Sequence, residues 1–153
     1  MGLDMYLTKE TYIGANFEFN EIGGTLELTR EGSPIPIKLN RVVSISERIG
    51  YWRKANQIHN WFVENVQGGE DDCKRYYVSL EQLKQLVEAC KSVVDDISLA
   101  EELLPTRKGF FFGAYEYDEY YIQDLEDTIE MLEPVIEEME QSQHADIYYQ
   151  SSW

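Results

Sequence analysis

At 153 residues, with 43% hydrophobic and 13% aromatic residues, the chain is long and apolar enough to fold as one domain despite a net charge of −16. That charge disfavours direct contact with nucleic acid or anionic membrane, and no apolar stretch approaches the roughly 20 residues a bilayer span needs. No P-loop, GxGxxG, GxSxG or HExxH pattern is present, so nucleotide-driven and dinucleotide chemistry are disfavoured and no cofactor is expected.

The first 46 residues read as strands. Leu3, Met5 and Leu7 alternate, as do Phe17 and Phe19, Leu26 and Leu28, and Ile35, Ile37 and Leu39. Gly23 and Gly24 are a two-residue hairpin signal between strands at 16–22 and 25–30, Gly32 to Pro34 marks a second turn, and Pro36 suits a strand edge. Asp4 falls early and no basic-then-apolar start follows, which argues against a signal peptide. Tyr6 stands where myristoylation on Gly2 wants Ser or Thr. The cytoplasm of the cell is the expected location.

From about Ser46 the period becomes helical. Tyr51, Ala55, Ile58, Phe62 and Val66 share one arc, with Arg53, Gln57, Asn60 and Glu64 opposite, facing water, and Trp52, Asn56 and His59 on a shoulder. Gly68 and Gly69 end this helix. Ser79 with Gln82 forms a capping box ahead of a stripe at Leu83, Val87, Cys90, Val94 and Ile97. Ser98 is read as the cap of a short extra turn that stops before Pro105. The last helix begins near Asp118 and carries Ile122, Leu125, Ile129, Leu132, Ile136 and Met139, with a kink or break expected near Glu133 because Pro134 interrupts it. Antiparallel packing of these two stripes would bring Lys84 towards Glu133 and Lys91 towards Glu126. The expected fold is therefore α+β, one domain: a small N-terminal antiparallel sheet (about 1–46), mainly helix over 47–140 with three main helices, the last two an antiparallel pair, and a tail or short strand over 141–153.

Two cysteines seventeen residues apart fit neither a redox pair nor a zinc framework; Cys90 belongs to the core stripe, and Cys73 lies near the surface. Residues 50–62 concentrate functional side-chain types: Arg53 suits a carboxylate or phosphate, Asn56 a polar group, His59 a proton. Beside that stands the plainer reading, in which Trp52 and Trp61 flank the core while Asn56 and His59 satisfy nearby backbone groups. Phe110 to Phe112, between two glycines, read as a buried strand or loop sealing the sheet against the helices. Glu116, Asp118 and Glu119 are oxygen donors but match no Ca²⁺ loop, and Asp118 and Glu119 already fit a helix N-terminus, so no metal is assigned there or at His144 and Asp146.

Several blocks are distinctive: residues 1–7 (MGLDMYL), 51–62 (YWRKANQIHNWF), 109–113 (GFFFG), 117–121 (YDEYY) and 145–153 (ADIYYQSSW). Together they resemble a family of small uncharacterised proteins from bacteriophages and bacterial mobile elements. The resemblance implies expression inside a bacterial host and an accessory role, such as modulating a host enzyme or countering a defence system. It carries over no catalytic residue.

The charge is unevenly placed. Residues 109–153 hold twelve carboxylates and no Lys or Arg, a net of −12, against −4 before them, and they hold more than half of the eleven Tyr residues. Like charges at Glu126/Glu130 and Glu133/Glu137 each cost a helix about 0.2–0.5 kcal/mol, which a cationic partner would relieve. The leading expectation is a non-enzymatic binding protein that uses Asp124, Asp127, Glu130, Glu137, Glu138 and Glu140 to engage a basic host protein, one version being a nucleic-acid mimic. The alternative is a small-molecule or nucleotide site, or a hydrolase, built from Trp52, Arg53, Asn56, His59, Tyr117 and Asp118.

Overall fold

The computed structural model describes residues 2–15, 23–142 and 144–153, so the strand expected at 16–22 lies outside the described residues. Among the described residues the order is β1 (Asp4–Tyr12), β2 (Thr29–Arg30), β3 (Ser33–Pro34), β4 (Ser44–Arg53), α1 (Asn56–Asn65), β5 (Tyr76–Val78), α2 (Leu80–Asp95), α3 (Ala100–Leu103), α4 (Glu119–Gln141) and β6 (Ala145–Ser152). The fold is α+β. Its main sheet is antiparallel with strand order β4-β1-β6-β5.

The sheet draws on both ends of the chain. Of the two expectations for the last residues, a tail or a short strand, the strand is observed: Ala145–Ser152 is an eight-residue strand seated between β1 and β5. Leu3, just before the first strand, and Met5, Leu7 and Lys9 within it line one face with Ile147, Tyr149 and Ser151 from the last, and all seven are buried. Helices α1, α2 and α4 cover that face in one continuous apolar cluster. The opposite face is open and carries Tyr51 beside Tyr6 and Tyr148 beside Tyr77, with Arg48 stacked 4.9 Å over Tyr6 and Arg75 3.8 Å over Tyr148. The apolar alternation expected over 25–39 yields only the two-residue ladder β2–β3, and Leu28, Ile35 and Ile37 stay exposed.

The helical period expected from Ser46 begins later. Residues 44–53 are strand β4, paired with β1 along its length, so Tyr51 and Trp52 sit on a sheet. Ile49, Tyr51 and Trp52 are strong strand formers, and pairing with β1 outweighs a stripe that fits both periods at this end. Gly50 is a point of close approach: a Cβ there would sit 2.9 Å from Met131 Sδ and 3.1 Å from Leu7 Cβ, where α4 crosses the sheet.

Helix α2 opens on the expected capping box, with Ser79 Oγ accepting from Gln82 N–H and Gln82 Oε1 accepting from Ser79 N–H. Asp96, rather than Ser98, caps the extra turn that follows. Asp118 caps α4 through the N–H groups of Tyr120 and Tyr121. The last helix runs unbroken through Pro134. Its pairing with α2 is antiparallel, but the register differs from expectation: Lys91 meets Glu133 at 2.7 Å and Lys84 meets Glu140 at 2.6 Å. Each lysine has moved one heptad along α4, a slip that leaves the apolar stripes matched. A third cation is buried: Lys9, 8% exposed on the inner face of β1, bridges Glu47 at 2.8 Å and Glu138.

Candidate functional site

Three polar constellations surround α1 and α4. The first is sealed. His59 is fully buried, with Nδ1 2.7 Å from Tyr149 Oη and Nε2 2.9 Å from Asp71 Oδ2. A carboxylate only accepts, so Nε2 carries the proton towards Asp71 and Nδ1 accepts from the tyrosine hydroxyl. That tautomer is the neutral ring: burial pushes the His59 pKa down, against the pull of Asp71, and pushes the Tyr149 hydroxyl well up. Asp71 also accepts from the Trp153 indole at 3.0 Å and pairs with Arg107 at 3.6 Å. Asn56 is equally committed, donating to the carbonyls of Phe112 (3.1 Å) and Ala114 (2.8 Å) and accepting from Arg107 N–H at 3.0 Å.

Chemically this array is a staple. It joins α1, the 67–73 loop, the 105–114 loop and β6 through groups whose hydrogen bonds are complete. Trp52 is likewise buried and donates to Thr128 Oγ1 at 2.9 Å. Trp52, Asn56 and His59 therefore belong to the interior and do not form the small-molecule site expected of them, the physical reason being that every polar atom named is already matched. Tyr117 is half buried, accepts weakly from Thr106 N–H and packs edge-on against Tyr121. No local signal marks Asp71, Arg107 or Tyr149 as partners: an aspartate after two glycines reads as a solvated turn.

The second constellation is open. A cavity of 190 Å³ lies between the end of β4, the first turn of α1 and the first turns of α4. Arg53, Lys54, Gln57, Asp118, Tyr121 and Asp124 line it, joined by Glu116 and Tyr120. Of the residues assigned to a small-molecule site, Arg53 and Asp118 meet here. Gln57, expected to face water, is 2% exposed and donates to Asp124 Oδ2 at 3.0 Å. Burial pushes the Asp124 carboxyl up, helped by Asp127 and Asp118 and opposed by Gln57. Arg53 is paired with Asp4 at 3.0 Å, whereas Lys54 has no acid within ion-pair distance among the described residues. Lys54 holds φ +63, packed against Gly113, whose own φ is +95. Glu116, Asp118 and Glu119 do not assemble further: among the described residues no three His, Cys, Asp or Glu side chains are grouped to hold a metal ion.

The third is the outer side of α4. Of the six acids expected to meet a partner, Glu138 is paired with Lys9, Glu140 with Lys84, and Asp124 turns into the cavity. Asp127 accepts from Gln123 at 2.9 Å. Glu130 and Glu137, together with Glu126, have no cation within ion-pair distance among the described residues. Glu130 and Glu137 border a groove of 710 Å³ between α2 and α4, lined also by Val87 and Ile136 and by Lys84 and Lys91 with their paired acids.

The triple phenylalanine divides. Phe112 is buried, edge-on to His59 and to Trp153, while Phe110 is 82% and Phe111 53% exposed, so only the third residue seals the core. Phe111 takes φ +62, which turns Phe112 inward and its two predecessors out. Cys90 is buried with its thiol pushed up to about 12, a core residue; Cys73 is half buried. No helix among the described residues is long and apolar enough to cross a membrane. Comparison with protein-family models, with curated proteins and with solved structures finds no match.

Proposed function

We propose that the protein is a non-enzymatic binding protein whose α4 ridge and adjoining α2–α4 groove take a basic, amphipathic segment of a host protein. The observation that carries this reading is the run Glu126, Glu130 and Glu137, exposed and without a cation among the described residues, beside a groove whose lining includes the apolar Val87, Pro134 and Ile136. Lysines of the ligand would face the ridge and its apolar stripe would meet Val87 and Ile136. The resemblance of its sequence blocks to phage and mobile-element proteins argues for a partner in a bacterial cytoplasm and for an accessory, counter-defence role.

Charge spacing chooses between a basic helix and nucleic-acid mimicry. Along one face of α4, Glu130 stands about 6 Å beyond Glu126 and Glu137 about 10.5 Å beyond Glu130, a mean spacing of about 8 Å per charge. A DNA strand carries one per roughly 3.4 Å and the duplex one per roughly 1.7 Å. The ridge is too sparse for a duplex mimic, and lysines one turn apart, about 6 Å along a helix, suit it better.

A synthetic amphipathic helix with Lys at i and i+4 and a Leu stripe tests this by fluorescence anisotropy. Binding is expected to weaken steeply with salt, and the combined Glu126→Gln, Glu130→Gln, Glu137→Gln variant to lose about tenfold or more in affinity. The same variant should unfold no more easily, since relieving the Glu126/Glu130 and Glu133/Glu137 repulsions returns about 0.2–0.5 kcal/mol each. Unchanged affinity in a folded triple variant would reject the ridge as the site.

A further inference from the structure

The cavity beside Arg53 is lined by two unlike sets of groups, acceptors and donors. Among the acceptors, Asp124 is half buried with only an amide for a partner, and Gln57, 98% buried, has spent its Nε2 on that carboxylate. Gln57 Oε1 accepts no hydrogen bond among the described residues and is not closed off from solvent as Gln67 Oε1 and Ser151 Oγ are. Asp118 keeps Oδ2 unused, its Oδ1 being committed to the α4 cap, and Glu116 stands beside it. This set suits a cationic N–H group. Among the donors, Lys54 lacks an ion-pair partner among the described residues, and Arg53 retains N–H groups beyond the one given to Asp4. That set suits an anion.

A diamine would meet Arg53 and Lys54, and a dicarboxylate would meet Asp118 and Asp124. Only a ligand with both charges leaves neither set opposed. At 190 Å³ the cavity is smaller than the roughly 300–1,000 Å³ of sites for drug-sized ligands, and larger than a lone ion requires. We propose that this cavity binds a free α-amino acid, its ammonium held by Asp124, Asp118 and Gln57 Oε1 and its carboxylate by Lys54 and Arg53. Tyr120, 73% exposed at the mouth, is placed to cover the ligand's side chain.

Isothermal titration of the full chain at low ionic strength with each of the twenty standard amino acids tests the proposal, followed by the α-amide and N-acetyl derivatives of any that bind. At least one amino acid is expected to bind, and loss of either ligand charge should weaken it by about tenfold or more. Asp124→Asn should weaken the same amino acid comparably without lowering thermal stability, and Glu101→Gln, exposed on α3 and outside the cavity, should leave its affinity unchanged. Two results would overturn the assignment. One is no heat and no shift in Tm with any amino acid at about 10 mM, tenfold above a millimolar Kd. The other is an amide or N-acetyl form that binds as well as its parent.

Discussion

Helix α1 presents polar side chains in two directions, and the two sides have opposite characters. Asn56 and His59 point into a closed network in which Tyr149, Asp71, Arg107 and backbone carbonyls answer their hydrogen-bonding groups. One residue along from Asn56, Gln57 points to an open cavity and leaves its carbonyl oxygen unanswered among the described residues. Residue type does not distinguish them: the histidine, the residue most suggestive of chemistry, is structural, and the glutamine marks the open site. Completeness of partnering, rather than the identity of the side chain, separates a staple from a site.

The sharpest test of that contrast compares two neighbours in the triple phenylalanine. Phe112→Ala should cost about 3–5 kcal/mol in urea unfolding, because it empties the space against His59 and Trp153. Phe110→Ala should stay within about 0.5 kcal/mol, because its ring lies in water. Equal effects would show that the loop does not separate a sealed side from an open one.

His59→Ala should cost about 3 kcal/mol by leaving Tyr149 and Asp71 without their shared partner. Acid should act through the same ring. Its folded pKa lies below the ordinary 6.5, so its contribution is intact above that value and is lost as pH falls through the lower folded one. Tyr149, Asp71 and Arg107 face it, and burial outweighs the favourable carboxylate. Melting temperatures should therefore fall as pH drops below about 6.5, and less steeply in His59→Gln than in the parent.

Asp124 carries the opposite sign. Its pKa is raised in the fold, so its ionised form opposes stability above the ordinary carboxylate range and the penalty fades as pH falls. Asp124→Asn should stabilise the protein at pH 7, read as a raised Tm, with the gain shrinking on acidification. A destabilised Asp124→Asn would mean that the carboxylate serves the fold and would remove the contrast with His59.

Much of the local structure was legible in the sequence. Ser79 with Gln82 and Asp118 announce helix starts because a cap acts on N–H groups two or three residues away. The apolar stripes of α2 and α4 gave an antiparallel pair. Their register was not legible, since a heptad pattern is unchanged by a shift of seven and only the sheet beneath fixes which turn of α4 faces Lys91. The cavity was half legible: Arg53 and Asp118 stood out by type, but Gln57 read as a surface residue because its burial depends on where the 109–116 loop and α4 lie.

By itself the sequence determined the α+β class, the helix caps, Cys90 as a core thiol and the one-signed C-terminal charge, all properties of neighbouring residues or of composition. Only the tertiary structure decided that residues 44–53 are strand, that residues 145–152 lie inside the sheet, and which acids keep a cation. Strand pairing and ion pairing join residues far apart in the chain, such as Lys9 with Glu138, and no local pattern records such a meeting. The acids left without a cation are accordingly fewer than the composition suggests: among the described residues Glu126, Glu130 and Glu137 keep none along one face of α4, and Asp124 faces a cavity of its own.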